Sequence, residues 1–231
     1  MLSEVSARRW LSDARFDRYL SAAMGDVDTA VSLYGWNARQ GAAAMSDVGH
    51  LEVALRNAYD RQLRERHPDW AVDPESRLFQ LETGRPEARS AQAALNRSSR
   101  DRLAAARRGL GGAPTHGQVL ANLDFGFWTQ LTRNERTATL WTPMLRKAYP
   151  EGADRSTIHR LVDRVRALRN RLAHHEPVFS QRTALMERLN DVYWLLYTLD
   201  PAVAAWAGVH STVADVAAMC PVPGLIAFAR A

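Results

Sequence analysis

Residues 155–177, RSTIHRLVDRVRALRNRLAHHEP, decide how this chain reads. Leu161, Val165, Leu168 and Leu172 recur at threes and fours, the spacing of one face of an α-helix, so this stripe is committed to a core. At about 100° per residue, Asp163, Arg166, Asn170 and His174 fall opposite the stripe and Arg169 on its flank. Pro177 cannot continue the helix, which the periodicity places from about Arg155 to Ala173. The result is an arginine, an amide and a histidine gathered at the end of a helix, on the side turned away from its core.

Outward from this helix the same period repeats. Ser3–Leu20 mixes charge with Val5, Trp10, Leu11, Phe16 and Tyr19, and a second run, 26–37, ends in Gly35-Trp36-Asn37. Met45, Val48, Leu51, Leu55, Ala58 and Leu63 predict a separate helix over 42–66, closed by His67-Pro68. Pro74, Gly84 and Pro86 make 71–90 an irregular connection with room for one helical turn. A polar, alanine-rich helix follows over 88–108, ended by Gly109-Leu110-Gly111-Gly112. Two apolar and aromatic clusters, around Phe125-Gly126-Phe127-Trp128 and around Leu140, Trp141, Met144 and Leu145, precede the 155–173 helix. Leu185, Leu189, Val192, Tyr193, Leu196 and Leu199 form a last long helix, and the tail, 202–231, adds one or two short ones. No period-2 alternation or Asn-Gly turn appears, so the fold class is all-α. We read 1–231 as a single helical domain, with an N-terminal helical part over about 1–70 and a motif-bearing core over about 115–200.

Composition narrows the function. The chain has 231 residues, 46% of them hydrophobic, and can bury a substantial core. Its formal net charge is +5, and Lys147 is the only lysine, leaving 29 of the 30 basic residues as arginine. Guanidinium groups match phosphate oxygens, so the 88–108 helix, with Arg97, Arg100, Arg107 and Arg108, and Arg166 beyond it, reads either as a solvated face or as a weak RNA contact. A single cysteine, Cys220, excludes an intrachain disulfide and a cysteine-based zinc site. The first residues carry charge and no apolar run, and Val216–Ala229 is short and broken by Pro221 and Pro223. A soluble, cytoplasmic protein without a membrane partner is therefore expected.

Several chemistries are absent. The glycine cluster at 109–112 lacks a P-loop lysine, His175-Glu176 is cut off from a zincin pattern by Pro177 and Phe179, and no nucleophile elbow or dinucleotide fingerprint occurs. No metal or cofactor is expected. Arg169 and His174 remain, a pair suited to phosphodiester cleavage without metal. Histidine takes and gives protons near neutrality, arginine holds a phosphate as charge builds on its oxygens, and Asn170, one turn before His174, is spaced to orient the imidazole. One such pair supplies half of an acid–base couple. Two copies of the chain supply both halves, so a homodimer with a composite cleft acting on RNA is expected.

Arg169-Asn170-x-x-x-His174 resembles the Arg-x(4–6)-His motif of the HEPN superfamily. More of the chain is similar to its Abi-like (abortive infection) branch: Tyr34-Gly35-Trp36-Asn37, Leu51-Glu52-x-x-Leu55-Arg56-Asn57, Phe125-Gly126-Phe127-Trp128 and Leu168-Arg169-Asn170-x-x-Ala173-His174-His175 come in that family's order, over roughly 10–200. The resemblance implies a HEPN-like helical bundle with additional helices, and a metal-independent endoribonuclease serving phage defence or acting as a toxin. Arg169 and His174 would be its catalytic pair, Asn170 the supporting polar residue and His175 an adjacent candidate. Glu52 and Arg56, at i,i+4, would pair with each other or line the cleft. Some HEPN toxins carry, two residues after the motif histidine, a tyrosine that an antitoxin modifies; Glu176 stands there, so an antitoxin or other defence-system partner is not identified. Two alternatives stand beside this reading: a catalytically silent HEPN-like module that binds RNA or protein, and a purely structural use of Asn170 and His174 as caps of the helix C-terminus.

Overall fold

The computed structural model describes residues 2–180 and 184–225. Among these the chain forms ten α-helices and no strand, as the periodicity requires: α1 (Glu4–Leu11), α2 (Asp13–Ala22), α3 (Val27–Arg64), α4 (Pro86–Arg108), α5 (His116–Ala121), α6 (Phe125–Gln130), α7 (Arg155–Ala173), α8 (Leu185–Leu199), α9 (Pro201–His210) and α10 (Val213–Ala218). A 3-10 turn over Arg77–Gln80 interrupts the irregular connection, and short 3-10 and π turns carry the chain from Asn134 to Ala148. No helix is long and apolar enough to cross a membrane among the described residues, and 226–229, the end of the apolar tail, lie outside them.

Two boundaries differ from the sequence reading. The 3–20 stretch breaks at Ser12, whose φ of 69° ends α1 and starts α2; Arg8 bridges the break by ion pairs to Glu4, Asp13 and Asp17. The runs 26–37 and 42–66 are one helix of 38 residues. Three glycines inside it, Gly35, Gly41 and Gly49, each cost a helix about 1 kcal/mol relative to alanine, which is why the sequence reads as two pieces. Burial of the residues around them outweighs that preference.

The chain divides into two compact units, and the divisions fall within α3, α7, α8 and α9. One unit contains 1–49, 167–190 and 206–231. In its described part Phe16, Tyr19, Leu33, Trp36, Val48, Leu168, Leu172 and Val178 are buried. Tyr19 packs edge-on against Tyr34 and Phe179. The Trp36 indole donates to the Val216 carbonyl at 2.7 Å, Gln40 to the Val213 carbonyl at 3.2 Å, and Ser211 to Asp47 at 2.8 Å. These bonds fix the middle of α3 in place across its glycines.

The other unit contains 50–166 and 191–205. Its core is aromatic: Trp70 stacks on Phe127 and meets Phe79 and Trp128 edge-on, while its indole donates to Asp60, which also meets His116. The Phe125–Trp128 cluster is thus core packing, with Phe125, Phe127 and Trp128 all buried. A polar face lies beside it. Gln92, Asn96 and Ser99 of α4 are buried, and the guanidinium of Arg136, only 1% exposed, donates to Asn96 at 2.9 Å and Ser99 at 2.7 Å and lies over the Phe79 ring. With no carboxylate bonded to it among the described residues, burial lowers the Arg136 pKa to about 10.

Candidate functional site

The first-mentioned candidates lie at the C-terminal end of α7. Asp154 opens this helix: its carboxylate accepts from the Ser156 hydroxyl and from the Thr157 amide at 2.8 Å, and these bonds draw its pKa down to about 2. The core stripe is as the periodicity places it, with Leu161, Val165, Leu168 and Leu172 buried.

At the other end the backbone closes the helix. His175 adopts the left-handed conformation, with φ 53°, its amide donates to the Leu172 carbonyl at 3.0 Å, and the Glu176 amide donates to the Arg171 carbonyl at 3.0 Å. This pair of bonds is a Schellman cap, which usually places glycine where His175 stands. An ion pair of 2.7 Å between Arg171 and Glu176 ties the two ends of the cap together. Asn37 of α3 secures the turn that follows. Its side-chain oxygen accepts from the Val178 amide at 2.7 Å, and its nitrogen donates to the Glu176 carbonyl at 3.4 Å. Arg15 of α2 donates to the His174 carbonyl at 3.4 Å.

Because these groups satisfy the helix end, the side chains of Asn170 and His174 are not its caps. Asn170, His174 and His175 are exposed and Arg169 is half-buried. No side-chain hydrogen bond or ion pair joins Arg169, Asn170, His174 or His175 to another described residue, and the Asn170–His174 contact that their spacing permits is not made. A small hollow of about 200 Å³, lined by Asn37, Gly41, Met45, Leu172, His175 and Val178, opens beside the cap. A methyl at Gly41 would sit 3.9 Å from Leu172 and 4.0 Å from Val178, which is ordinary contact distance.

The remaining candidates belong to the other unit. Glu52 and Arg56 are half-buried on successive turns of α3. Of the arginine set, Arg100 donates to the Phe79 carbonyl and Arg107 to those of Ala71 and Asp73, so both fasten the irregular 71–79 segment to α4. Arg166 pairs with Asp163 at 2.8 Å. Arg97 and Arg108 are exposed. Sequence gives neither Arg15 nor Asn37 a role at the site: Arg15 sits in a stretch of mixed charge without a distinguishing pattern, and Asn37, although it closes the Tyr34–Asn37 segment, reads as the polar end of a shorter helix.

Among the described residues no group of three or more His, Cys, Asp or Glu side chains is placed to hold a metal ion. Compared with known proteins, the chain matches no family model, no curated protein and no solved structure.

Proposed function

We propose that the protein is a metal-independent endoribonuclease of the HEPN type, acting through Arg169 and His174 at the end of α7, with two copies of the chain completing the site. One observation carries the reading: α7 is capped by its own backbone, leaving an arginine, an amide and a histidine at its end without a structural task among the described residues. An exposed histidine at the same helix end as a guanidinium is suited to general acid–base work on a phosphodiester.

In this reaction the ribose 2′-oxygen forms a bond to phosphorus while the bond from phosphorus to the 5′-oxygen breaks. His174 of one copy takes the 2′-hydroxyl proton, and His174 of the second gives a proton to the departing 5′-oxygen. Arg169 holds the phosphate oxygens as charge gathers on them. Products end in a 2′,3′-cyclic phosphate and a 5′-hydroxyl. Asn170 acts on the RNA or on the second copy rather than on the imidazole of its own chain. Such an enzyme would work in the cytoplasm, in phage defence or growth arrest.

The test is cleavage of total RNA and tRNA in EDTA by the unaltered protein beside Arg169→Ala and His174→Ala, each verified as folded by circular dichroism. Loss of about a hundredfold or more in both variants is expected, since acid–base groups contribute about 10²–10⁴ in rate. Products with 5′-phosphates, or equal cutting by the variants, would refute the proposal. RNA retained without cutting would favour the silent binding module.

A further inference from the structure

The unit formed by 50–166 and 191–205 holds a cavity of about 530 Å³, within the range that takes small ligands. Arg102 of α4, Arg133, and His159, Asp163 and Arg166 of α7 line it, together with Gly126 at the start of α6. No Phe, Tyr or Trp ring is among the lining residues, and the His159 imidazole is the one ring there.

Three guanidiniums converge on this space, and their side chains are 40%, 50% and 38% exposed for Arg102, Arg133 and Arg166. Each is tethered to one carboxylate: Arg102 to Asp124 at 2.7 Å, Arg133 to Glu135 at 3.3 Å, and Arg166 to Asp163 at 2.8 Å. Only Asp163 of these carboxylates lines the cavity, so positive charge predominates there. A guanidinium carries five N–H donors, and one or two are spent on the carboxylate; the others remain for an anion. Gly126 belongs to this arrangement. A Cβ at that position would come within 3.0 Å of both the Arg102 guanidinium and the Asp124 carboxylate, so only glycine lets this pair lie across the helix start undisturbed.

The Thr132 hydroxyl lies 3.0 Å from the Thr129 carbonyl and 2.9 Å from the His159 Nδ1. When it donates to the carbonyl it accepts from Nδ1, the tautomer in which Nδ1 carries the proton. Nε2, which has no partner among the described residues, is the nitrogen left to the cavity.

We propose that this cavity is a phosphate-recognition site, in which Arg102, Arg133 and Arg166 hold a phosphoanion and His159 Nε2, once protonated, adds a fourth donor. Bidentate charge-assisted bonds from arginine suit phosphate oxygens, and with no Phe, Tyr or Trp platform for a base the phosphate itself is the group recognised. Its source is a free small phosphoanion or the backbone of bound RNA. The site uses none of the residues in the ribonuclease proposal and stands or falls apart from it.

Calorimetric titration of the full chain with inorganic pyrophosphate tests this. Saturable binding is expected, weakened about tenfold or more by Arg102→Gln and by Arg133→Gln, since each removes a charged hydrogen bond. Asp163→Asn, which removes the one lining carboxylate, should instead tighten binding severalfold, an opposite sign that general loss of structure would not give. Arg89→Gln, exposed on the same helix and outside the cavity, should leave the affinity unchanged. No saturable binding up to millimolar pyrophosphate, or an affinity in the two cavity-arginine variants equal to that of the unaltered protein, would overturn the proposal. A short oligouridylate added in competition separates the sources: displacement identifies a backbone phosphate, and retention of pyrophosphate identifies a free phosphoanion.

Discussion

Replacing Asn37 with alanine tests whether one buried amide holds the turn that follows the α7 motif. Asn37 is 2% exposed and accepts the Val178 amide at 2.7 Å. Removing the acceptor leaves a buried N–H unpaired, at a cost of about 1–3 kcal/mol. The bond to the Glu176 carbonyl is long, at 3.4 Å, and adds little. Alanine suits a helix interior better than asparagine by about 0.5 kcal/mol, which offsets part of the loss. The net expectation is a destabilisation of about 0.5–2.5 kcal/mol, lowering the melting temperature by about 1–10 °C for a chain of this length. Asn57→Ala supplies the control, because Asn57 is exposed on the same helix and shares the propensity gain without a bond to lose. The assay is thermal unfolding of both variants, with amide hydrogen exchange at Val178 as a local readout. If Asn37→Ala melts with Asn57→Ala, or Val178 keeps its protection, the reasoning about this clamp is refuted.

Three further outcomes follow from the geometry. His175→Gly should stabilise the protein by about 0.5–1 kcal/mol, because glycine adopts the left-handed conformation without the steric cost borne by histidine; a lower melting temperature would contradict the Schellman assignment. His159 is held below its ordinary value of 6.5 by burial, with Arg155 and Arg133 acting in the same direction and Asp163 opposing. Between its folded value and 6.5 the unfolded chain binds the proton more readily, so this group removes stability as pH falls through that window, and His159→Gln should flatten urea-melt stability against pH there. Trp70→Ala should cost about 3–5 kcal/mol by urea denaturation, since a fully buried indole and its bond to Asp60 are lost together.

The helical class and the limits of α7 were legible because its core stripe is strictly periodic and an asparagine, a histidine and a proline mark its end. The candidate residues at that end were legible as residue types, but their freedom was not. It depends on a cap made by backbone amides and on Asn37, which lies in α3 and reaches Val178 across 141 positions of sequence. The continuity of α3 was hidden for the same reason. Gly35, Gly41 and Gly49 argue locally for breaks, and the bonds from Trp36 and Gln40 to residues near 213–216 that override them have no local signature. By sequence the arginines of α4 form either a solvated face or a weak RNA contact. Arg100 and Arg107 are occupied by carbonyls, and the buried face of α4 is made of Gln92, Asn96 and Ser99, which a hydrophobic pattern cannot reveal. Ser12 gives no sign of the positive φ it adopts.

The bond between Trp36 and Val216 spans 180 residues. Closing a loop of that length costs about 4–5 kcal/mol of chain entropy before any contact returns it. During synthesis at about 5–20 residues per second, the first half of α3 waits about 10–40 s for the segment that completes its packing. A nascent chain stopped short of Ser211 therefore holds Trp36 and Gln40 without the carbonyls they bond and Asp47 without the Ser211 hydroxyl, and this unit is open to chaperones and proteases until residue 216 has left the ribosome.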